Sequence, residues 1–218
     1  MGEVISLMER RELRRTPKQA RSAHGPVTCF FDLASPDTYL AAERVDRLFT
    51  DVHWVPVILD AWDGVPGSGS GRLAEAQQEV QRRAAALRMP LVWPDRTPAP
   101  ARAAMRVGAH AAREGRAAAF VLAATRLAFC GGFDLDDPDI LAEACAAAGL
   151  SLDDCLRAAG DPDQDEPMLA EGRRLQAQGA DRIPAIQVGR MLFCGEHRIP
   201  EAIVAASVRK SRVRRTGA

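Results

Sequence analysis

Residues 35–38 read Ser35-Pro36-Asp37-Thr38, at the junction between the apolar run VTCFFDLA and the segment YLAAERVDRLF. The first run is rich in β-branched and aromatic residues and reads as a buried strand. In the second, Leu40, Ala41, Val45, Leu48 and Phe49 recur at helical spacing. Ser35 suits an N-cap and Pro36 the first helical position, where a missing N–H costs nothing. The Ser35 hydroxyl then belongs among unpaired backbone donors at the positive end of a helix dipole, a setting suited to an anion. Dithiol–disulfide exchange needs a thiolate attacker and normally a resolving thiol. Positions 35 and 38 are Ser and Thr, so exchange of that kind is excluded here. A serine makes chemical sense if the sulfur arrives with a small molecule: the hydroxyl donates to it and the helix terminus favours its thiolate form. An ordinary N-cap is the alternative, and the two roles are compatible.

The five cysteines, Cys29, Cys130, Cys145, Cys155 and Cys194, include no Cys-x-x-Cys and no metal-ligand spacing, so no metal site is expected. They read as free thiols packed as small hydrophobes in a reducing compartment, with Cys29 and Cys194 as the alternatives for a reactive thiol. The sequence of 218 residues is 47% hydrophobic, enough for one substantial core with an inserted subdomain. Its 29 basic and 29 acidic residues balance, so no nucleic-acid partner is expected for the body. The basic ends, RRELRRTPKQAR and RKSRVRR, read as solvated tails at 1–26 and 209–218; an electrostatic contact with nucleic acid or anionic lipid is the alternative. No apolar run is long enough for a signal peptide or a membrane span, and a cytoplasmic location is expected.

The elements that must position Ser35 follow from local signals. VHWVPVIL reads as a second strand, at an edge or bulged because of Pro56. DAWDGVPGSGSG is a long Gly/Pro/Ser-rich loop, and RLAEAQQEVQRRAAALRM a helix. Helices then open at Thr97-Pro98, before Phe120, at Asp137-Pro138 and at Ser151, and a polar helix covers about 165–179. IPAIQVG and RMLFCG form a hairpin turned at Gly189-Arg190, and a last helix spans roughly 199–208. The order is β-α-β, a helical block at 61–180, then β-β-α; residues 27–60 and 181–208 form one discontinuous α/β domain.

Three segments carry a resemblance to a known group. FFDLASPDTYLA, ALRMPLVWP and GADRIPAIQVGRMLFCGEHRIPEA resemble the DsbA-like thioredoxin-fold superfamily, in its branch of 2-hydroxychromene-2-carboxylate isomerases and kappa-class glutathione transferases, over about residues 27–207. The resemblance implies an α/β thioredoxin-like fold with an all-helical insertion. It implies a glutathione-dependent (or other low-molecular-weight-thiol-dependent) isomerase or transferase acting on a small, aromatic substrate, and a homodimer. A non-catalytic module that binds a small molecule or a thiol, and an unconventional thiol-disulfide oxidoreductase, are the alternatives. It places Pro184 at a cis-proline and Ile183 as a main-chain clamp with its N–H and C=O free for a ligand. It makes Ser35 the thiolate stabiliser and sets Glu196 and His197 at the thiol's amino and carboxylate end. Trp62 and Trp93 are candidates for a substrate pocket or for packing. Three positions depart from the pattern: Asp37 stands where the group has an aromatic residue, His197 where it has an aspartate, and the loop after the second strand lacks an asparagine. A carboxylate at 37 would oppose a thiolate at the same helix end.

Overall fold

The structure, a computed structural model, describes residues 27–58, 70–95 and 101–216. Strands β1 (Val27–Phe31), β2 (Val52–Pro56), β3 (Ala185–Val188) and β4 (Met191–Cys194) form one sheet in the order β2-β1-β3-β4. β1 runs parallel to β2 and antiparallel to β3, and β3 pairs antiparallel with β4. Pro56 ends β2, which lies at a sheet edge, where a missing donor is tolerated. The helices are α1 (Pro36–Leu48), α2 (Ser70–Ala86), α3 (Arg102–Arg113), α4 (Ala117–Phe129), α5 (Pro138–Ala148), α6 (Leu152–Ala159), α7 (Asp165–Ala177) and α8 (Ile199–Thr216). This is an α/β thioredoxin-like fold with a helical insertion between the two halves of its sheet.

Alternation along the strands divides the core. Cys29, Phe31, Ile186 and Val188 face the larger cluster, with Tyr39, Leu40 and Val45 of α1 and Met105 and Val107 of α3. Phe30, Ala185 and Val57 face a smaller one with Leu175 of α7 and Ile183. α3 comes close to β1 because position 108 has no side chain: a Cβ there would lie 3.3 Å from the Phe31 ring. The insertion is fastened by ion pairs as well as apolar packing. Arg106 of α3 grips both oxygens of Asp165, at 2.7 and 2.8 Å, and donates to the Ala159 carbonyl at 3.0 Å.

The local signals hold at α5 and α6. The Asp137 side chain accepts from the Asp139 N–H, the Ser151 hydroxyl from the Asp154 N–H, and Gly149 takes the left-handed C-terminal position with φ 70°. The final helix departs from expectation: it runs to Thr216 instead of ending near 208, so the backbone of the supposed tail is helical through that residue. No glycine or proline interrupts 201–216, and Arg and Lys favour both the helix interior and its negative end. The N-terminal segment 1–26, Trp62 with most of its loop, and the Thr97-Pro98 signal lie outside the described residues; α3 begins at Arg102. Among the described residues no helix is long and apolar enough to cross a membrane.

Candidate active site

The turn carrying Ser35 is fixed from three sides. The Ala34 N–H donates to Asp32 Oδ1 at 2.9 Å and the Ser35 N–H to the Asp32 carbonyl at 3.1 Å. The Leu33 N–H points at Met105 Sδ at 3.2 Å, which ties the turn to α3. Thr38 is fully buried, and its Oγ1 accepts from the Asp32 N–H at 3.4 Å, so this residue braces the turn from inside.

Ser35 occupies the N-cap position with extended backbone, φ −88° and ψ 119°, and Pro36 is the first helical residue. Its side chain does not cap the helix. The half-buried hydroxyl instead donates to the Ile183 carbonyl at 3.2 Å, across 148 residues of sequence. The Ile183-Pro184 bond is cis, which matches the resemblance. One feature of that expectation changes: the Ile183 carbonyl already accepts from Ser35, while among the described residues its N–H has no hydrogen-bond partner. An unpaired N–H on a residue only 4% exposed is uncommon in folded proteins.

Gly195 joins this loop to the end of β4. Its N–H donates to the Pro184 carbonyl at 2.7 Å, and its φ of 89° with ψ of 149° is a conformation open essentially to glycine alone. His197 follows it, exposed, its ring packed against Gly195.

Glu196 lies between Gly195 and His197. It is 3% exposed, and both of its oxygens are taken: Oε2 by Arg44 of α1 at 2.8 Å and Oε1 by Arg83 of α2 at 3.1 Å. A carboxylate so enclosed ties α1 and α2 to the turn that follows β4. Arg83 also donates to Asp37 Oδ1 at 2.8 Å, and its Nε lies 3.5 Å from Glu79. Burial lowers the proton affinity of the Arg83 guanidinium, but Asp37 and Glu196 more than offset this, and the net direction is up. The result is a chain of alternating charge, Asp37–Arg83–Glu196–Arg44, laid beside the N-terminal half of α1.

Neither arginine was singled out in the sequence. Arg44 stands seven residues after Asp37, on the same helical face, and Arg83 four after Glu79; those spacings were the available signals. Trp93 packs edge-on against Phe129, centroids 6.4 Å apart, and Tyr39 stacks on the same ring at 6.0 Å. The Tyr39 hydroxyl donates to the Pro90 carbonyl at 2.8 Å and lies 3.0 Å from Cys130 Sγ.

The chain's own thiols are poorly placed for thiolate chemistry. Cys29 is fully buried in β1, and burial pushes its thiol far up. Burial also raises the Cys194 thiol; the N–H groups of Asp181 and Arg182 pull it back without cancelling the shift. Cys145 and Cys155 are buried together between α5 and α6, both raised by burial.

Comparison with solved structures gives several relatives in shape. A 2-hydroxychromene-2-carboxylate isomerase superposes with TM-score 0.69 at 20% identity, covering 88% of this chain and 98% of its own. A probable DsbA oxidoreductase from Streptomyces coelicolor follows at 0.66 and 20%, covering 85% and 90%. The cytosolic disulfide reductase DsbM from Pseudomonas aeruginosa, solved with glutathione, gives 0.57 and 19%, covering 87% and 99%. At these identities the likeness establishes the fold. No curated protein matches the sequence. The family model described as the DSBA-like thioredoxin domain matches residues 26–202, most of the sequence, and the chain belongs to that family.

Proposed function

We propose that the protein is a thiol-dependent isomerase or transferase, using glutathione or a related low-molecular-weight thiol on a small conjugated aromatic carbonyl compound. The observation that carries this is the pairing of the Ser35 hydroxyl with the carbonyl before cis-Pro184, at a helix end with no cysteine at either end of the turn. Two further features suit a peptide-like thiol: the Ile183 N–H, which has no partner among the described residues, and Asp37 held by Arg83 and so balanced in charge.

Such a thiol, when bound, supplies reversible addition to a conjugated double bond, which lets that bond rotate before elimination. Ser35 turns its single hydroxyl proton from the Ile183 carbonyl toward the sulfur and so stabilises negative charge there. The carbonyl it leaves is then free to accept from the ligand's main-chain N–H, while the Ile183 N–H donates to a ligand carbonyl, a two-point clamp of the β type. Pro184 shapes the loop that presents both groups. His197 is the exposed side chain beside this loop and is assigned the ligand's carboxylate end; Glu196 is not available for the amino end.

Ser35→Ala tests the assignment through calorimetric binding of glutathione and thiol-dependent isomerisation of a conjugated aromatic carbonyl compound. Loss of a donor aimed at developing charge should lower turnover by about a hundredfold. Unchanged turnover and unchanged binding would refute the role of Ser35. The enclosure of Glu196 favours a second reading, a binding module without catalysis. Titration with several thiols separates the two, because absence of binding at millimolar concentration excludes the thiol-dependent enzyme and favours a module for another small molecule.

A further inference from the structure

The proposed use of Ser35 meets an electrostatic objection within the chain: Asp37 sits in the first turn of the same helix, and a carboxylate there disfavours an anion at Ser35. The structure answers with a side chain from a different element. Arg83 reaches from α2 to donate to Asp37 at 2.8 Å and to Glu196 at 3.1 Å, while Arg44 takes the second oxygen of Glu196 at 2.8 Å. The four formal charges of this chain cancel, so it places no net negative charge beside the positive helix terminus at Ser35.

We propose that Arg83 is a positioning residue that neutralises Asp37 and thereby keeps the Ser35 end of α1 receptive to a thiolate. The proposal rests on the thiol reading of Ser35 and adds its electrostatic control. Asp37 and Arg83 are 14% and 20% exposed, so solvent screens this pair only in part. The remaining charged groups about the site are Asp32 in the preceding turn, Glu79 on α2, Asp181 and Arg182 ahead of Pro184, and His197 after β4. Of these His197 is the one imidazole. It is exposed and is left unaltered in every variant of the test.

The test reads the local potential directly, without depending on a ligand. Ser35→Cys places a titratable thiol at the site, and its ionisation is followed by thiolate absorbance and by the pH dependence of alkylation, with labelling located by mass spectrometry. Adding Arg83→Gln should raise the apparent pKa of that thiol by about one unit, a tenfold loss of thiolate at a fixed pH below it. Adding Asp37→Asn to that double variant should bring the value back. If Arg83→Gln perturbs folding, Ser35→Cys with Asp37→Asn alone keeps Arg83 and should lower the value instead. An introduced thiol indifferent to all three changes overturns the proposal. So does a shift on Arg83→Gln that Asp37→Asn does not reverse, since Arg83 would then act only by placing α2. Glutathione titration of the wild-type protein is run in parallel: absence of binding would refute the proposed function while leaving the thiol titration decisive for Arg83.

Discussion

Replacing Gly195 by alanine is expected to destabilise the protein by about 2 kcal/mol, mostly through its backbone. At φ 89° and ψ 149° the residue lies where a side chain costs roughly 1–3 kcal/mol. A Cβ there would also lie 2.6 Å from Cε1 and 2.7 Å from Nδ1 of His197, and 2.7 Å from Cδ of Arg182. These overlaps are the cheaper part, because His197 is exposed and the Arg182 side chain is 51% exposed, so both can swing aside. For a chain of this length, about 2 kcal/mol lowers Tm by roughly 4–8 °C in a calorimetric scan. The double variant Gly195→Ala/His197→Ala, compared with His197→Ala, removes the overlap with the ring and leaves the backbone and the Arg182 contact as they were. It should recover less than about a third of the loss. A Tm within about 1 °C of wild type for the single variant, or near-complete recovery in the double, would refute the backbone explanation.

Two further outcomes follow from the ionisable groups. The hydrogen bond from Arg106 holds the Asp165 carboxyl below its ordinary range against an opposing effect of burial, with the charges of Arg106 and Arg102 adding to it. Its folded value therefore lies below its unfolded one, so the stability it contributes is present above the usual aspartate range near pH ~4 and is lost as pH falls through the lower folded value. Asp165→Asn should accordingly cost most near neutrality and least in strong acid by urea titration; a difference from wild type that stays constant across that range would exclude an electrostatic origin. In the native protein at pH 8, Cys29, Cys145 and Cys155 should resist alkylation until denaturant is added, and Cys194 should react more slowly than free glutathione. Labelling of Cys194 at the rate of the free thiol would reopen an oxidoreductase reading.

What could be read in the sequence was local. The β1–turn–α1 unit, the Asp137 and Ser151 caps, Gly149 and the Gly189-Arg190 turn are each specified by residues a few positions apart, and each is found where those residues place it. The last helix runs to Thr216, past the end expected near 208, because basic charge does not stop a helix at its C-terminus. The partners of Ser35, Asp37 and Glu196 were not legible. They come from residues 148, 46 and 152 or 113 positions away, and no periodicity links such separations. Ser35 shows the limit most clearly: its position as N-cap follows from Pro36, but the direction of its hydroxyl depends on where the Ile183 carbonyl arrives from the far half of the sheet.

The charge chain is a poor device if stability alone is its purpose. Taking Glu196 out of water to 3% exposure carries a desolvation penalty of several kcal/mol, which its two arginines repay only with good geometry, and apolar replacements of similar volume are often as stable. An ion pair does what apolar contact does not: it fixes direction. Arg83 has one donor committed to α1 and another to the turn that follows β4, so α2 is held at a defined angle to both halves of a domain that the sequence separates by the whole insertion. The same two bonds set the charge beside Ser35. An alteration at Arg83 therefore removes a tie that places α2 and leaves Asp37 unbalanced, and altering Asp37 with it restores the charge balance but not the tie.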